Sequence, residues 1–190
     1  DLRMSRGLGD VYKRQVYNAL CAICVGREVG IDIKDIIAGI NEFSLTKNRM
    51  EVDNFKDNIT IINDAYNASY DSMKAALEFL GSFKDKYKIA VLGDMLELGE
   101  FSNELHLKVG KSVYENNIDL LVTVGDYSKK IAEGACILGM PEENVKSVDN
   151  NRDAIKFLEK VITVDSAILL KASNSMKFSE IYNEISKKLK

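Results

Sequence analysis

Residues 61–80 read IINDAYNASYDSMKAALEFL. A β-branched apolar run ends in Asn63-Asp64. A loop carrying Tyr66, Asn67, Ser69 and Tyr70 follows, and a helix-forming segment begins behind Asp71 and Ser72. Open parallel sheets bind their ligands beyond the carboxyl ends of the strands. A carboxylate at such an end can accept both hydroxyls of a ribose. Three more strand ends carry the same kind of residue: Gly93-Asp94, Gly125-Asp126 and Lys171-Ala172-Ser173. Three aspartates and a lysine are therefore expected along one edge. Asp126 stands just before a helical pattern at 127–138, so capping that helix or closing a turn accounts for it. Asp64 is different. Seven residues separate it from Asp71, the better cap, and a ligand role follows for it.

The elements that would position these residues come next. Near-continuous apolar runs at 59–64, 87–92, 119–124, 145–148 and 166–171 are expected strands. Each is followed by an amphipathic pattern, at 71–83, 103–116, 127–138, 151–162 and 178–189. Strands apolar on both faces that alternate with helices indicate a Rossmann-like, mostly parallel α/β sheet with helices on both faces. Ahead of them, residues 16–28 read as a helix with Val16, Leu20, Ile23 and Cys24 on one face. Gly30 is its stop, and Asp32 caps a second helix to about Ile40. FSLTKNRMEV then reads as a linker into a short strand. The first fifteen residues, with four Arg or Lys and neither helical nor strand period, look like a foreign leader.

Composition narrows the function. Lys and Arg total 26 and Asp and Glu 29, a net charge of −3, so no basic surface points to duplex nucleic acid. No apolar run approaches the ~18 residues that span a bilayer, which leaves a cytoplasmic protein without a membrane partner as the expectation. Cys21, Cys24 and Cys136 are too few for a disulfide framework. Cys21 and Cys24 form a C-x-x-C inside an apolar helical pattern, where packing is expected rather than metal or redox chemistry. His106, the only histidine, is expected to be structural, and no metal site is readable. No G-x-x-x-x-G-K-[ST] and no G-x-G-x-x-G occurs in the 190 residues. From these residues alone the chain is an α/β domain that binds a small molecule.

Five segments extend that reading. NALCAICVG resembles the end of an H-N-x-x-N-A-L-A-A helix and NRMEV a G-R-M segment. NDAYNASYDSM resembles D-[SA]-Y-N-A-N-P-x-S-M, and VLGDMLELGEFSNELH resembles L-G-D-M-x-E-L-G with its downstream His. KASNSMKFSEI resembles K-G-S-R-S-M-x-x-E-[IV]. In this order, over residues 16–185, the chain resembles the Mur ligase family, and within it the branch that joins D-alanyl-D-alanine to UDP-N-acetylmuramoyl-tripeptide. The resemblance implies an ATP- and Mg²⁺-dependent peptide ligase of peptidoglycan synthesis that works through an acyl phosphate, and a monomer. It implies that residues 16–46 end a central ATP-binding domain and that 47–190 form the C-terminal domain. The phosphate loop and the metal ligands would belong to parts outside this chain, which alone would be inactive.

Residue by residue, the resemblance puts Asn18 near the adenine, Arg49 on the nucleotide phosphates and Asp64 on the ribose. It puts Tyr66 and Asn67 near the acyl acceptor. Asp94 and Glu97 shape the dipeptide site, with Lys171 and Ser173 on the dipeptide side. The first Asn of the helix motif falls at Gln15. Ser69-Tyr70 replaces Asn-Pro, and Ala172 and Asn174 replace Gly and Arg, which removes a bidentate partner for a carboxylate. Two other readings stand beside this one. Another Mur or folate-type ligase would share the Arg49 and Asp64 positions. A receiver-like phosphoacceptor domain would gather Asp64, Asp126 and Lys171.

Overall fold

The computed structural model describes the backbone of residues 5–42 and 48–190, with side chains from Val16 onward. Residues 1–4 of the expected leader and 43–47 of the expected linker lie outside the described residues. Two compact units are present, Asp1–Thr46 and Lys47–Lys190.

The first unit contains α1 (Ser5–Glu28) and α2 (Ile33–Glu42). The helix expected from residue 16 begins eleven residues earlier. Once a helix is nucleated, each added residue contributes a hydrogen bond, so propagation overrides a weak pattern. Gly30 ends α1 at φ +82, a left-handed conformation that suits glycine. The Asp32 carboxylate accepts the Lys34 N–H at 2.8 Å, as a capping residue does. Packing of the C-x-x-C does not hold: Cys21 and Cys24 are both exposed. Within this unit, α2 meets α1 closely at Gly26, where an added Cβ would lie 2.8 Å from Ile36 Cδ1. The α1 residues Val16, Tyr17 and Leu20 remain at least half exposed.

The second unit is a six-stranded sheet: β1 (Glu51–Asn54), β2 (Thr60–Asn63), β3 (Tyr87–Gly93), β4 (Leu120–Val124), β5 (Val145–Val148) and β6 (Ser166–Lys171). Their spatial order is β1-β2-β6-β3-β4-β5. Every pairing is parallel except β1 with β2, so the expected mostly parallel sheet is present. The helices are α3 (Tyr70–Gly81), α4 (Ser102–Glu115), α5 (Lys129–Ile137), α6 (Asn151–Val161) and α7 (Ser179–Leu189). Right-handed crossovers put α3, α4 and α5 on one face and α6 and α7 on the other. The strands alternate accordingly. Ile61, Ile89, Val91, Val122, Ile168 and Leu170 form one core with Leu158, Phe178, Ile181 and Ile185. Met73, Leu77, Leu80, Val109, Val113 and Ile131 are buried on the helices of the opposite face. Each such side chain contributes about 1.5–3 kcal/mol on leaving water.

One topological feature positions the site. The β2–α3–β3 crossover skips a place, and β6 returns from the far edge to fill it. Chains leaving β2 and β3 pass to one face, while the chain leaving β6 passes to the other. Crevices therefore open at the carboxyl ends on both sides of β6.

Candidate functional site

The carboxyl end of β6 holds two neighbouring loops. Lys171 is 1% exposed. Its ammonium donates to Asp64 Oδ2 at 2.5 Å and to the carbonyl oxygens of Asn67 at 3.0 Å and Asp64 at 3.5 Å. All three of its protons are thereby used. Two residues on, Ser173 turns to the other side. Its N–H donates to the Asp94 carbonyl at 3.1 Å, and its Oγ accepts the Leu96 N–H at 2.9 Å. The last strand thus ties the loop after β2 to the loop after β3.

Around Asp64 the segment before β1 closes in. Met50 N–H donates to Asp64 Oδ1 at 3.1 Å, and Tyr66 N–H donates to the Asn48 carbonyl at 2.9 Å. Asn63 Nδ2 donates to Asn48 Oδ1 at 2.9 Å and Glu51 Oε2 at 3.1 Å. This brings Arg49 to the edge, its guanidinium 4.0 Å from the centroid of the Tyr66 ring. Arg49 and Tyr66 are exposed, whereas Asp64 is 8% exposed. The sequence pointed to Arg49, Asp64, Tyr66 and Lys171, and all four meet here. Asn48 and Met50 were not anticipated: Met50 contributes a backbone N–H, and Asn48 a backbone carbonyl together with its side-chain oxygen, neither of which sequence spacing reports.

The second patch surrounds Asp94, which is 6% exposed. Its carboxylate accepts the Ser128 N–H at 2.7 Å and the Asp126 N–H at 3.2 Å. It therefore grips the loop between β4 and α5. Gly125 is required there: φ is +113, and a Cβ would sit 2.6 Å from the Asp94 carboxylate. The expectation that Asp126 caps the next helix fails. Its side chain is 92% exposed and pairs with Lys129 at 3.3 Å, and Asp94 does the anchoring from another strand. Asp71 is not a cap either. Ser69 caps α3 in a reciprocal box with Ser72, and Asp71 lies in the first turn.

His106 is structural, as expected, and fully buried. Nδ1 lies 2.7 Å from the Ser102 carbonyl, which can only accept, so Nδ1 carries the proton. Nε2 is then free to accept the Met95 N–H at 3.0 Å. Burial pushes its pKa below the ordinary 6.5. The exposed Tyr127 stacks on it at 5.9 Å. Asp94, Met95 and Leu96 are thus pinned in succession, and Glu97 follows, exposed, at φ +65. Asn67 is exposed, with its side chain on the Ala68 N–H. Asn18 is exposed on α1, in the other unit. Among the described residues no group of three or more His, Cys, Asp or Glu could hold a metal ion.

A mostly parallel sheet with charged loops at its carboxyl edge, split by a strand that returns to its middle, defines a doubly wound α/β domain. The chain belongs to the Mur ligase family: residues 48–174 match its domain described as "Mur ligase, glutamate ligase domain". The UDP-N-acetylmuramoyl-tripeptide–D-alanyl-D-alanine ligase of Bacillus subtilis is 35% identical over 174 residues, covering 91% of this chain and 38% of that protein. A crystal structure of MurF from Acinetobacter baumannii superposes with a TM-score of 0.74 at 26% identity, over 90% of this chain and 37% of the other. MurF ligase from Thermotoga maritima in complex with ADP gives a TM-score of 0.64 at 25% identity, over 88% and 36%. The chain spans less than two fifths of the length of each of these three proteins.

Proposed function

We propose that this chain is the C-terminal part of an ATP-dependent ligase that adds D-alanyl-D-alanine to UDP-N-acetylmuramoyl-tripeptide in peptidoglycan precursor synthesis. Residues 16–46 end its central ATP-binding domain, and residues 47–190 are its C-terminal domain. The enzyme is a cytoplasmic monomer. In the reaction the tripeptide carboxylate takes the terminal phosphoryl group of ATP to form an acyl phosphate and ADP. The dipeptide amine then attacks the acyl carbon, and phosphate leaves.

The observation that carries this reading is the grouping of Arg49, Tyr66 and Asp64 at the carboxyl edge of β2. Arg49 is an exposed cation next to a carboxylate, which suits a ligand with phosphates at one end and a ribose at the other. Asp64 fits that task with capacity to spare. A carboxylate offers about four lone-pair sites, and Met50 and Lys171 occupy one on each oxygen. Among the described residues no cluster of carboxylates suits Mg²⁺, and this reading assigns its ligands and the phosphate loop to other parts of the enzyme. This chain contributes positioning, which alone can supply a large share of a barrier reduction. The receiver-like alternative loses ground because the Asp126 carboxylate faces solvent and Lys129.

The test is product formation by the complete enzyme from the same gene, supplied with ATP, Mg²⁺, UDP-N-acetylmuramoyl-tripeptide and a panel of acceptors. D-alanyl-D-alanine is the expected best acceptor, and Arg49→Ala is expected to raise KM for ATP. Preference for a single amino acid would move the chain to another Mur ligase. ATP-dependent product from the 190-residue chain alone would overturn the claim that it is inactive.

A further inference from the structure

At the opposite, amino edge of the sheet a cleft of about 330 Å³ opens between the starts of β3 and β4 and the ends of α4 and α5. Its volume lies at the small end of ligand pockets, which hold roughly 300–1,000 Å³. Tyr87 and Tyr114, both exposed, line it. Ile118 and Met140, both buried, add hydrocarbon, and Asp119 adds a carboxylate. Gly139 turns the chain after α5 at φ +109, and a Cβ there would lie 3.5 Å from the Tyr114 hydroxyl. The turn that carries Met140 is therefore set against the Tyr114 ring. None of these residues belongs to the carboxyl-edge site.

The electrostatics of the cleft favour a cation. Helices that follow parallel strands run back to the amino edge, so the negative ends of their dipoles collect there. Lys160 answers that charge in the last turn of α6, and Lys187 and Lys188 answer it in α7. The last turns of α4 and α5 hold no basic residue. Asp119 adds a full charge beside these two helix ends, and its position is fixed. Its N–H donates to the Lys88 carbonyl at 3.0 Å, and its Oδ2 accepts the Lys88 N–H at 2.8 Å. The Lys88 ammonium lies 3.8 Å from the same oxygen, beyond hydrogen-bond distance. Oδ1 has no hydrogen-bond partner among the described residues. Tyr87 registers the charge: burial first, and then the Asp119 carboxylate, push its hydroxyl above the ordinary 10.0.

We propose that this cleft binds an organic cation, an ammonium carrying hydrocarbon, with Asp119 Oδ1 facing the charge and the rings of Tyr87 and Tyr114 flanking it. Aromatic faces attract such a cation through their quadrupole, and its methyl or methylene groups pack on Ile118 and Met140. A hard divalent metal would need about six oxygen ligands, where the cleft offers one free carboxylate oxygen and two rings. An anion would meet Asp119 and two negative helix ends. The same ammonium chemistry occurs in free small amines and in a lysine side chain of a partner protein. The site lies away from the nucleotide edge, so the inference does not depend on the ligase reading.

The experiment is an NMR titration of the ¹⁵N-labelled 190-residue chain with choline, with its uncharged tert-butyl analogue, and with N-acetyl-lysine methylamide. A cation is expected to shift the amides of Asn117, Ile118, Asp119 and Met140 and to bind about tenfold more tightly than the uncharged analogue, the worth of one charge-assisted contact. Tighter binding of choline marks a free small molecule as the ligand, and tighter binding of the lysine derivative marks a protein side chain; either supports the site. Asp119→Asn keeps an oxygen for the Lys88 N–H and should abolish the preference for charge. Tyr114→Leu and Tyr87→Leu should each weaken the cation about threefold or more. Glu100→Gln, at the other edge of the sheet, should change nothing. Silence toward both cations at millimolar concentrations overturns the proposal. So does an equal response to the uncharged analogue, or a preference for charge that survives Asp119→Asn.

Discussion

Replacing Lys171 by Met removes the ammonium that ties the loop after β2 to the end of β6 and leaves the hydrocarbon stem. The Asp64 carboxylate, 12% exposed in its side chain, would then keep only the Met50 N–H at 3.1 Å. Breaking a buried pair by deleting one partner costs about 3–5 kcal/mol, because the remaining charge is stranded. Asp64→Asn leaves the ammonium its two carbonyl acceptors and an amide oxygen, so it should cost about 3 kcal/mol, the low end of that range. In the double variant both charges are gone, and the cost should fall short of the sum by about 2 kcal/mol or more. With a urea slope near 2 kcal/mol per molar, Lys171→Met should lower the midpoint by about 1.5–2.5 M. The assay is equilibrium urea unfolding of the whole chain, followed by circular dichroism. A midpoint shift below about 0.5 M for Lys171→Met, or single costs that simply add, would refute the idea that this pair locks the loop after β2 onto the end of β6.

Three further outcomes are expected. Gly125→Ala should cost about 2–3 kcal/mol, from φ +113 and a Cβ placed 2.6 Å from the Asp94 carboxylate, measured by the same urea titration. Stability should decline as pH falls below 6.5, since buried His106 resists the proton that the unfolded chain accepts there. Its contribution is complete above the unfolded value and is lost as pH drops toward the lowered folded one, and His106→Gln should flatten that part of the profile. Ser69→Ala should cost about 1 kcal/mol by removing the cap of α3, visible as a lower thermal midpoint.

The central strands were legible because burial on both faces makes each a near-continuous apolar run, as ILL at 168–170 shows, whereas the edge strands β1 and β5 are half exposed. The helices were legible from their period, and Arg49, Asp64 and Lys171 from strand ends and a family pattern. What stayed hidden was tertiary. Asp94 looks in sequence like a substrate ligand, yet its partners are N–H groups more than thirty positions away, and a backbone donor leaves no mark on residue type. Ser69 was passed over as a cap because its reciprocal partner is Ser72 instead of the usual Glu or Gln. The pairing of Lys171 with Asp64 was missed because each residue was assigned its own ligand, and sequence spacing does not tell which strands become neighbours. Cys21 and Cys24 sit in an apolar pattern that implies a covering layer, and within the first unit α2 meets only part of α1.

The place of β6 has a consequence for biosynthesis. It is the last of the six strands of this sheet in chain order, and it belongs between β2 and β3. Until residues 166–171 are available the sheet stays in two pieces, one a hairpin and the other the β3–β4–β5 ribbon, with their carboxyl-edge loops unconnected. Pairing β2 with β6 closes a loop of about a hundred residues, the kind of distant contact that slows folding. The loops after β2 and β3 are therefore fixed in a single late step. A chain shortened before Lys171 would lack both ties, Lys171 to the loop after β2 and Ser173 to the loop after β3.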